Sequence, residues 1–414
     1  MTESPAVEGT ATGRPVRILR DLPQFRYLWL SKSISSIGTG VGQIALVLLV
    51  APSGPGAVTL VLIGTALPML AGPLAGAVAD RVDQRRLLAG CEAGQGVIYA
   101  FLSLTRPSLP VLLPLVILAS LLATFGGPAG KSAIRRLVPA GPRPQANALL
   151  GLGANLRIIL GPAVGGLLAG LSGVSVAFGV NAASFAISAL LLIKLAPLPP
   201  MRAQSLGTDP RPATLFGDTV AGLRYAGQNR VLRGLVIGML VFLTFACVDN
   251  VALVFLVRGP LRGSGTEYGL VDATFGVGMV AASVALTTLA GRRPPAFWLV
   301  SGIIAGAVGM AATGIAPSAA LACAGQVVAG AGNTLDLVGT DTIVQQRVPA
   351  HMTGRAFGIV YASAQLASVI SYLIAGPLVT LAGPRTAFVI GGAGALAGAA
   401  VLIPALRDRE PRKG

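Results

Sequence analysis

Long apolar stretches separated by short polar turns run along almost the whole chain. A membrane-spanning helix needs about 20 mainly apolar residues, and twelve stretches approach or exceed that length. They lie at approximately 28–51, 57–79, 87–105, 109–130, 146–170, 175–196, 234–257, 268–290, 296–315, 319–340, 357–381 and 386–406. Most turns between them consist of proline, glycine and serine. The pattern predicts an all-α membrane protein with twelve transmembrane helices.

One long connector interrupts this series between the sixth and seventh stretches. The predicted organisation is a cytoplasmic tail (1–26), a six-helix bundle (27–196), a cytoplasmic linker (197–233), a second six-helix bundle (234–406) and a cytoplasmic tail (407–414). In the linker, Phe216, Val220 and Leu223 share one face of a predicted amphipathic helix on the membrane surface. The N-terminal tail lacks the pattern of a signal peptide, so the first span is expected to remain.

Composition and charge support this prediction. The chain of 414 residues is 53% hydrophobic and 11% charged, whereas soluble domains carry roughly 25% charged residues. With both termini in the cytoplasm, few basic residues lie outside the predicted inner regions: Arg106, Arg258, Arg262 and Arg385 in outer loops, and Lys32 and Arg157 within spans. This asymmetry predicts a multi-pass protein of the cell inner (plasma) membrane. It also accounts for the net charge of +16 without a nucleic-acid partner.

The two halves of the chain resemble each other in sequence. GQIALVLLV (42–50) matches DNVALVFLV (249–257) at an offset of 207, and LVPA (137–140) matches RVPA (347–350) at 210. LSGVSVAF (171–178) matches LAGPRTAF (381–388), again at 210. Three matches in order at nearly constant spacing predict homologous six-helix halves, a plan in which transporters bind substrate between the repeats.

The loop after the second stretch reads GAVADRVDQRR and resembles the pattern G-x-x-x-D-R-x-G-R-R/K of the major facilitator superfamily. The matching residues are Gly76, Asp80, Arg81, Arg85 and Arg86. Asp83 replaces the second glycine and Gln84 a basic residue. Gly76 allows close helix packing, and Asp80 can accept hydrogen bonds from a helix N-terminus or an arginine. The resemblance implies a fold of two pseudo-symmetric six-helix bundles and a role for this loop in an inner gate. A positive-inside anchor explains Arg85 and Arg86 equally well.

The fifth stretch carries GANLRIILGPAVGG, which resembles the antiporter motif of the same superfamily. The matching residues are Gly153, Gly161, Pro162, Gly165 and Gly166. Proline can bend the helix, and glycines allow a partner helix to come close. In the family this motif accompanies export. Arg157 stands where glycine is common, roughly mid-span, so a cavity-lining or paired role is expected.

A wider resemblance to the branch with enterobactin and macrolide exporters covers most of the chain. It rests on FRYLWLSKSISSIGTGVGQIALVLLV, PAGKSAIRRLVPAGPRPQANALLG and VNAASFAISALLL. The drug-exporter motif of the fourth helix, with its membrane-embedded arginine, is missing from VLLPLVILASLLATFGG. This absence weakens a carried-over proton relay and makes Arg157 the obvious substitute.

Asp249 is the most informative intramembrane charge. It lies nine residues from Arg258, which is about 13 Å of helix, and its counterpart in the first half is Gly42. The repeat scaffold therefore does not require a carboxylate here, and Asp249 is predicted to serve proton or substrate coupling, with Arg157 as its counter-charge or as a substrate contact. Gln43 and Asn250 are paired by the repeat and are predicted to bind substrate from opposite sides of one cavity.

The other membrane ions divide into a predicted pair and solvated groups. Lys32 and Glu92 each lie six residues beyond an inner-surface arginine, about 9 Å deep, which permits an ion pair. The default expectation for Asp272, Asp336 and Asp341 is solvation at the interfaces.

Together these features predict a monomeric secondary exporter of a small amphipathic compound, driven by protons through alternating access. An importer or uniporter on the same fold is the first alternative, and a non-transporting scaffold or sensor is a remote one. The only histidine, His351, has no metal-binding or catalytic partners nearby in sequence. No cofactor, metal site or enzymatic activity is expected.

Overall fold

The computed structural model describes residues 15–199, 224 and 227–406. The predicted linker helix, with Phe216, Val220 and Leu223, lies outside the described residues. The helices are α1 Pro15–Asp21, α2 Pro23–Val50, α3 Pro55–Ala66, α4 Gly72–Arg81, α5 Gln84–Thr105, α6 Leu109–Leu137, α7 Arg143–Leu171, α8 Val174–Ile193, α9 Arg230–Ala246, α10 Asp249–Arg258, α11 Gly265–Leu289, α12 Pro295–Ile315, α13 Ala319–Arg347 and α14 Ala350–Leu406. The all-α prediction is therefore confirmed.

Each of the twelve predicted stretches coincides with described helix. Within residues 15–199 and 227–406, nine helical segments are long and apolar enough to cross a membrane. One of these, Ala356–Pro404, contains two predicted spans. The second predicted span consists of α3, a 3₁₀ turn at Leu67–Ala71 and α4. The tenth is α13, a helix of 29 residues whose polar groups include two carboxylates.

The repeat is visible in the backbone as well as in the sequence. Gly173 and Gly383, which are 210 positions apart, both adopt the left-handed conformation, with φ of 88° and 80°. This conformation favours glycine because it has no Cβ. Gly383 divides α14 into two helical lengths, 350–382 and 384–406. The aromatic rings five residues later, Phe178 and Phe388, are both fully buried.

The helices pack as two groups that meet at one end of the molecule. We call the end with Arg81, Arg136 and Arg347 the basic end, and the end with Arg106 and Arg258 the opposite end. A shared apolar core at the opposite end contains segments of α2, α10 and α14. At the basic end each group has its own core, one around α2 and α6 and one around α9 and α12. The groups are therefore closed at the opposite end and separate at the basic end.

Small residues make the contacts that close the opposite end. Gly166 and Gly170 of α7 lie against Gly269 and Thr266 of α11. On the other side of the molecule, Thr59 Oγ1 of α3 donates a hydrogen bond to a backbone carbonyl of α14 at 3.2 Å. Close backbone approach of this kind is typical of membrane helix contacts.

The other face of α7 packs against α2 through the remaining glycines of the antiporter-like motif. A Cβ at Gly161 would lie 2.6 Å from the Cα of Gly40, and a Cβ at Gly165 would lie 3.0 Å from the Cα of Val41. Gly153 faces Ser33 of the same helix. The motif thus gives α7 two close-packed faces, one within its own group and one toward the other group.

We expect Gly161→Ala to destabilise the protein by ~1–3 kcal/mol, because the added methyl group would overlap backbone atoms that have little freedom to move. Gly76→Ala is the matched control, since no atom lies within 4 Å of a Cβ at that position, and alanine is the better helix former. Thermal unfolding of the purified proteins in detergent checks this. Equal transition temperatures for the two variants would contradict the packing role of Gly161.

Candidate functional site

The span that carries Asp249 is broken where this residue enters. Helix α9 ends at Ala246 and α10 begins at Asp249. Around the break the backbone makes i→i−3 hydrogen bonds, such as Val248 N to Phe245 O at 3.3 Å and Asn250 N to Cys247 O at 3.2 Å. Asp249 therefore occupies the first turn of a helix, where a negative charge is stabilised by the helix dipole. The sequence pattern predicted one continuous span here.

The structure explains why the first half has no carboxylate at the position equivalent to Asp249. Its counterpart Gly42 lies in the unbroken α2, and the buried Asn181 of α8 fills the space where a side chain would extend. At the offset of 210 the counterpart of Asn181 is Gly391. The two halves thus place their polar group on different helices at this level.

Asp249 lines a cavity of about 240 Å³ within the second group of helices. Asn250 lines it too, together with polar groups from α11 and α13 and with aromatic side chains. Its lining includes Phe242, Cys247, Asp272, Phe275, Gln326 and Asn333. A mainly apolar cavity with a few convergent polar groups is the usual form of a small-molecule site.

Asp272 joins Asp249 in this cavity and is half-buried, so it lies in the cavity wall and not at the membrane interface where it was expected. The two carboxyl groups lie close enough to interact electrostatically. Gln326 lies beside Asp249, is 1% exposed, and its Nε2 has no hydrogen-bond partner at normal distance. The cavity therefore contains two carboxyl groups and an amide whose Nε2 faces Asp249, and no described basic side chain lines it.

Arg157 lines a second cavity of about 270 Å³, built mainly by the first group of helices. Gln43, Gln95 and Tyr99 share this cavity, and Tyr99 is the titratable group that interacts with Arg157. Arg157 forms no ion pair with a described carboxylate. Its predicted position in a cavity therefore agrees with the structure, whereas a charge pair with Asp249 is absent. Gln43 and Asn250 likewise line different cavities.

Helix α14 separates the two cavities. Its residues Gln365, Ser368 and Tyr372 line the cavity of Arg157. Ser368 Oγ also lies 3.6 Å from the Sγ of Cys247, which lines the cavity of Asp249. Tyr372 interacts with Cys247 and Asp249 from the same side. At this point the two cavities are separated only by the contact between Ser368 and Cys247.

The GAVADRVDQRR loop contacts its own half of the molecule. Arg85 Nη2 donates to Ile193 O at 2.5 Å, and Gln84 Nε2 donates to Ser132 Oγ at 2.7 Å. Asp83, the departure from the family pattern, caps α5 by accepting a hydrogen bond from Arg86 N at 3.0 Å. Arg81 is exposed. The side chain of Asp80 lies outside the described residues. Gly76 has open space around it, so the close packing predicted for it is absent in this arrangement.

Lys32 and Glu92 form the predicted ion pair between α2 and α5. Lys32 Nζ lies 2.7 Å from Glu92 Oε1. Glu92 is buried, and its second oxygen has no hydrogen-bond partner in the described structure. Gly130 of α6 makes room for the lysine, whose Cε lies 3.6 Å from the position of a Cβ there. The pair lies in the first group, toward the basic end.

Asp336 is also not solvated, contrary to expectation. It is 2% exposed within the second group of helices, and its Oδ1 has no described hydrogen-bond partner. Asp341 is half-buried and accepts a hydrogen bond from Tyr361 Oη at 3.1 Å. The sequence signal was the spacing of Gln326, Asn333 and Asp336 along one helix, which places polar groups on a common side.

No group of three or more His, Cys, Asp and Glu side chains suited to a metal ion occurs among residues 15–199 and 227–406. The polar groups of the two cavities are carboxylates, amides, aliphatic hydroxyls, phenols, one thiol and one guanidinium. Their arrangement is suited to binding a solute and to moving protons. The three described cysteines are free thiols.

Comparison with known proteins gives the family context. A family described as "Transmembrane secretion effector" matches residues 18–411. The multidrug efflux pump Tap of Mycobacterium tuberculosis (strain ATCC 25618 / H37Rv) is 28% identical over 375 residues, covering 86% of this chain and 87% of that protein. The enterobactin exporter EntS of Shigella boydii serotype 18 (strain CDC 3083-94 / BS512) is 26% identical over 352 residues, covering 83% and 82%.

Solved structures share the fold at low sequence identity. The nucleoside transporter NupG superposes with a TM-score of 0.77 at 14% identity, covering 93% of this chain and 100% of that chain. A bacterial homologue of the lysosomal transporter Spinster, in an inward-facing conformation, gives a TM-score of 0.67 at 16% identity, covering 92% and 95%. The related proteins are membrane transporters, and this chain is accordingly a transporter and not an enzyme.

We expect the cavity of Asp249 to be reached by water from the basic end only. In a variant without Cys91, Cys247 and Cys323, Asn250→Cys places a thiol on an exposed, cavity-lining position. A membrane-impermeant maleimide should label it in one vesicle orientation. Arg262→Cys at the opposite end is the control and should label in the other orientation. Labelling of both thiols from the same side would contradict the arrangement.

We expect Lys32→Ala to lower stability by more than the double change Lys32→Ala with Glu92→Ala. The single change leaves a buried carboxylate unpaired, which costs about 1–3 kcal/mol or more, whereas the double change removes both charges. Thermal unfolding in detergent measures the difference in a double-mutant cycle. Additive effects would show that the two side chains do not stabilise each other.

Proposed function

Because the chain belongs to the transmembrane secretion effector family of the major facilitator superfamily, we propose that it exports a small amphipathic compound in exchange for protons. An antibiotic, a siderophore or another secondary metabolite fits this class. Tap is named a multidrug efflux pump and EntS an enterobactin exporter, and these names favour export. The G-P-x-x-G-G segment of α7 favours the same direction.

The observation that carries this proposal is the cavity of Asp249. It combines a broken helix, two carboxyl groups and the rings of Phe242 and Phe275. The aromatic surface suits the apolar part of an amphipathic compound, and the carboxyl and amide groups suit its polar part. Discontinuous helices with free backbone groups are a recurrent feature of transporter sites.

Alternating access follows from where the two groups of helices touch. The present arrangement is closed at the opposite end, where the shared core and the contact of Gly166 with Gly269 form the seal. We propose that this seal opens when the two groups rock, and that the GAVADRVDQRR loop, with Asp80, then closes the basic end. The predicted bundles, 27–196 and 234–406, are the rocking units in this proposal.

The cavity residues have separate tasks in this proposal. Asp249 couples transport by exchanging a proton or by contacting the substrate, and Asn250 adds a hydrogen bond. Arg157 and Gln43, in the neighbouring cavity, contact a second part of the substrate. Ser368 and Tyr372 of α14 lie between these two places, so a compound long enough to reach both would contact both groups of helices.

Topology and assembly complete the proposal. The basic end faces the cytoplasm of a cell whose inner (plasma) membrane holds the protein, and both tails, 1–26 and 407–414, lie on that side. In this proposal the linker 197–233 is cytoplasmic as well. One chain contains both cavities, so a monomer suffices for transport.

The proposal is tested by uptake into inverted membrane vesicles whose interior has been made acidic. Ethidium, a macrolide and a catecholate siderophore serve as probes. Wild type should accumulate at least one of them, and Asp249→Asn should reduce accumulation by about tenfold to a hundredfold, because a hydrogen bond with a charged group contributes ~1.5–3 kcal/mol.

Glu267→Gln is the matched control. Glu267 is an exposed carboxylate of the same half that accepts a hydrogen bond from Ser264 N at 2.7 Å outside both cavities. It should transport like wild type. Unchanged accumulation and pH dependence in Asp249→Asn would remove Asp249 from coupling. Wild-type uptake that ignores the proton gradient would favour a uniporter, uptake driven only in right-side-out vesicles an importer, and no movement of any probe a non-transporting role.

A further inference from the structure

Among the described residues, Asp336 of α13 is a carboxyl group with less compensation than Asp249. Its side chain is 2% exposed, and its Oδ1 has no hydrogen-bond partner in the described structure. Its own backbone is pressed against Gly302 of α12, where the missing side chain gives it space. The carboxyl group is thus almost entirely enclosed by protein.

Among the described side chains, no basic group faces Asp336 from the helices packed against α13. Helix α12 contains no titratable residue, and α11 contains none after Asp272. From the α9–α10 break the titratable group near Asp336 is Cys247. From its own helix it is Asp341, which also contacts Tyr361 of α14.

The arginines of this half lie at its ends. Arg347 is eleven residues further along α13, which is about 16 Å of helix. Arg230 and Arg233 lie in the first turn of α9. The side chains of His351 and Arg355, at the start of α14, lie outside the described residues.

An ionised carboxylate in such a place costs several kcal/mol unless a cation or hydrogen-bond donors compensate it. A proton bound to the carboxyl group would remove this cost. A proton bound there is separated from the cavity lining, yet Asn333, one turn away on α13, and Cys247 both line the cavity of Asp249. A substrate bound in the cavity would contact Asn333 and Cys247, and these neighbours would transmit its presence to Asp336.

We propose that Asp336 is the site that holds the coupling proton, and that Asp341 and Tyr361 connect it to water at the basic end. This inference rests on the proposed proton-driven export and assigns Asp249 and Asp272 to the substrate cavity. Asp341 lies five residues from Asp336, and the two carboxyl groups interact. Tyr361 accompanies Asp341 and is 51% exposed.

Proton release from Asp336 by way of Asp341 takes two steps. The O–H bond of protonated Asp336 breaks, and its proton passes, directly or through a water molecule, to the carboxylate of Asp341. Asp336 becomes a carboxylate and Asp341 a carboxylic acid. Asp341 then gives the proton to water beside the exposed Tyr361, which restores its own charge. The ionised Asp336 is the costly form, so the empty carrier favours taking up a new proton.

Infrared spectroscopy of the protein reconstituted in lipid tests the site without a substrate. The carbonyl-stretch band of protonated carboxyl groups is recorded across a pH series. Asp336→Asn should remove one component of this band, and Asp249→Asn should leave that component in place. Asp336→Glu keeps a titratable group and should retain a shifted component. A spectrum of Asp336→Asn that coincides with wild type would overturn the proposal.

Transport by the same variants provides the second measurement, with whichever of ethidium, the macrolide or the siderophore wild type moves. Asp336→Asn should retain exchange of labelled for unlabelled probe but lose accumulation driven by the proton gradient, and Asp336→Glu should recover part of it. Accumulation equal to wild type would overturn the assignment. Loss of both exchange and accumulation at an unchanged unfolding temperature would also overturn it, because Asp336 would then serve substrate binding.

The two measurements separate the two proposals. If wild type moves none of the probes, the proposed export fails for these compounds, while the infrared spectra still decide whether Asp336 holds a proton. If wild type accumulates a probe and Asp336→Asn does so equally well, the export proposal stands and the coupling proton lies elsewhere.

Discussion

Close contact between glycines of α7 and two other helices is the constraint on which the architecture depends. One face of α7 meets α2 at Gly40 and Gly161, and another meets α11 at Gly166 and Gly269. Helices in lipid gain little from hydrophobic association, so van der Waals contact at short distance has to hold them together. Because this contact lies toward the opposite end, the two groups of helices separate at the basic end, and polar cavities can exist between and within them.

The cost of burying charge then determines where the chemistry lies. Lys32 and Glu92 solve the problem by pairing. Asp249 lies at the start of a helix beside Gln326, and Oδ1 of Asp336 has no hydrogen-bond partner in the described structure. Among the described residues, the cavity of the first group contains a guanidinium, that of Arg157. The cavity of the second group contains the carboxyl groups of Asp249 and Asp272. The symmetric frame therefore carries an asymmetric distribution of charge, which is what a transporter needs if its halves are to have different tasks.

The repeat makes this asymmetry understandable residue by residue. Gly173 and Gly383 occupy equivalent turns with the same left-handed backbone, which preserves the frame. Gly42 and Asp249 are also equivalent, but Asn181 fills the space beside Gly42, whereas Gly391 is the residue equivalent to Asn181. A polar group has thus changed helices between the halves while the backbone plan stayed the same. Sequence comparison alone identified the exchange at Gly42 but not its partner at Asn181.

Hydrophobic length and the positions of proline and glycine determined the all-α architecture and the location of each span, because a bilayer requires about 20 apolar residues per crossing. Charge spacing along the chain also gave the Lys32–Glu92 pair, since equal depth on neighbouring helices brings the two together. The break before Asp249, the two separate cavities, the place of Asp272 in one of them and the burial of Asp336 were decided by tertiary structure alone. The depth of a residue in the membrane follows from its position along one helix and can be counted from the sequence. The direction of its side chain and the identity of its neighbours depend on how several helices are rotated relative to one another. For that reason the sequence left open whether Arg157 pairs with Asp249 or contacts substrate, whereas the structure places the two in cavities that α14 separates.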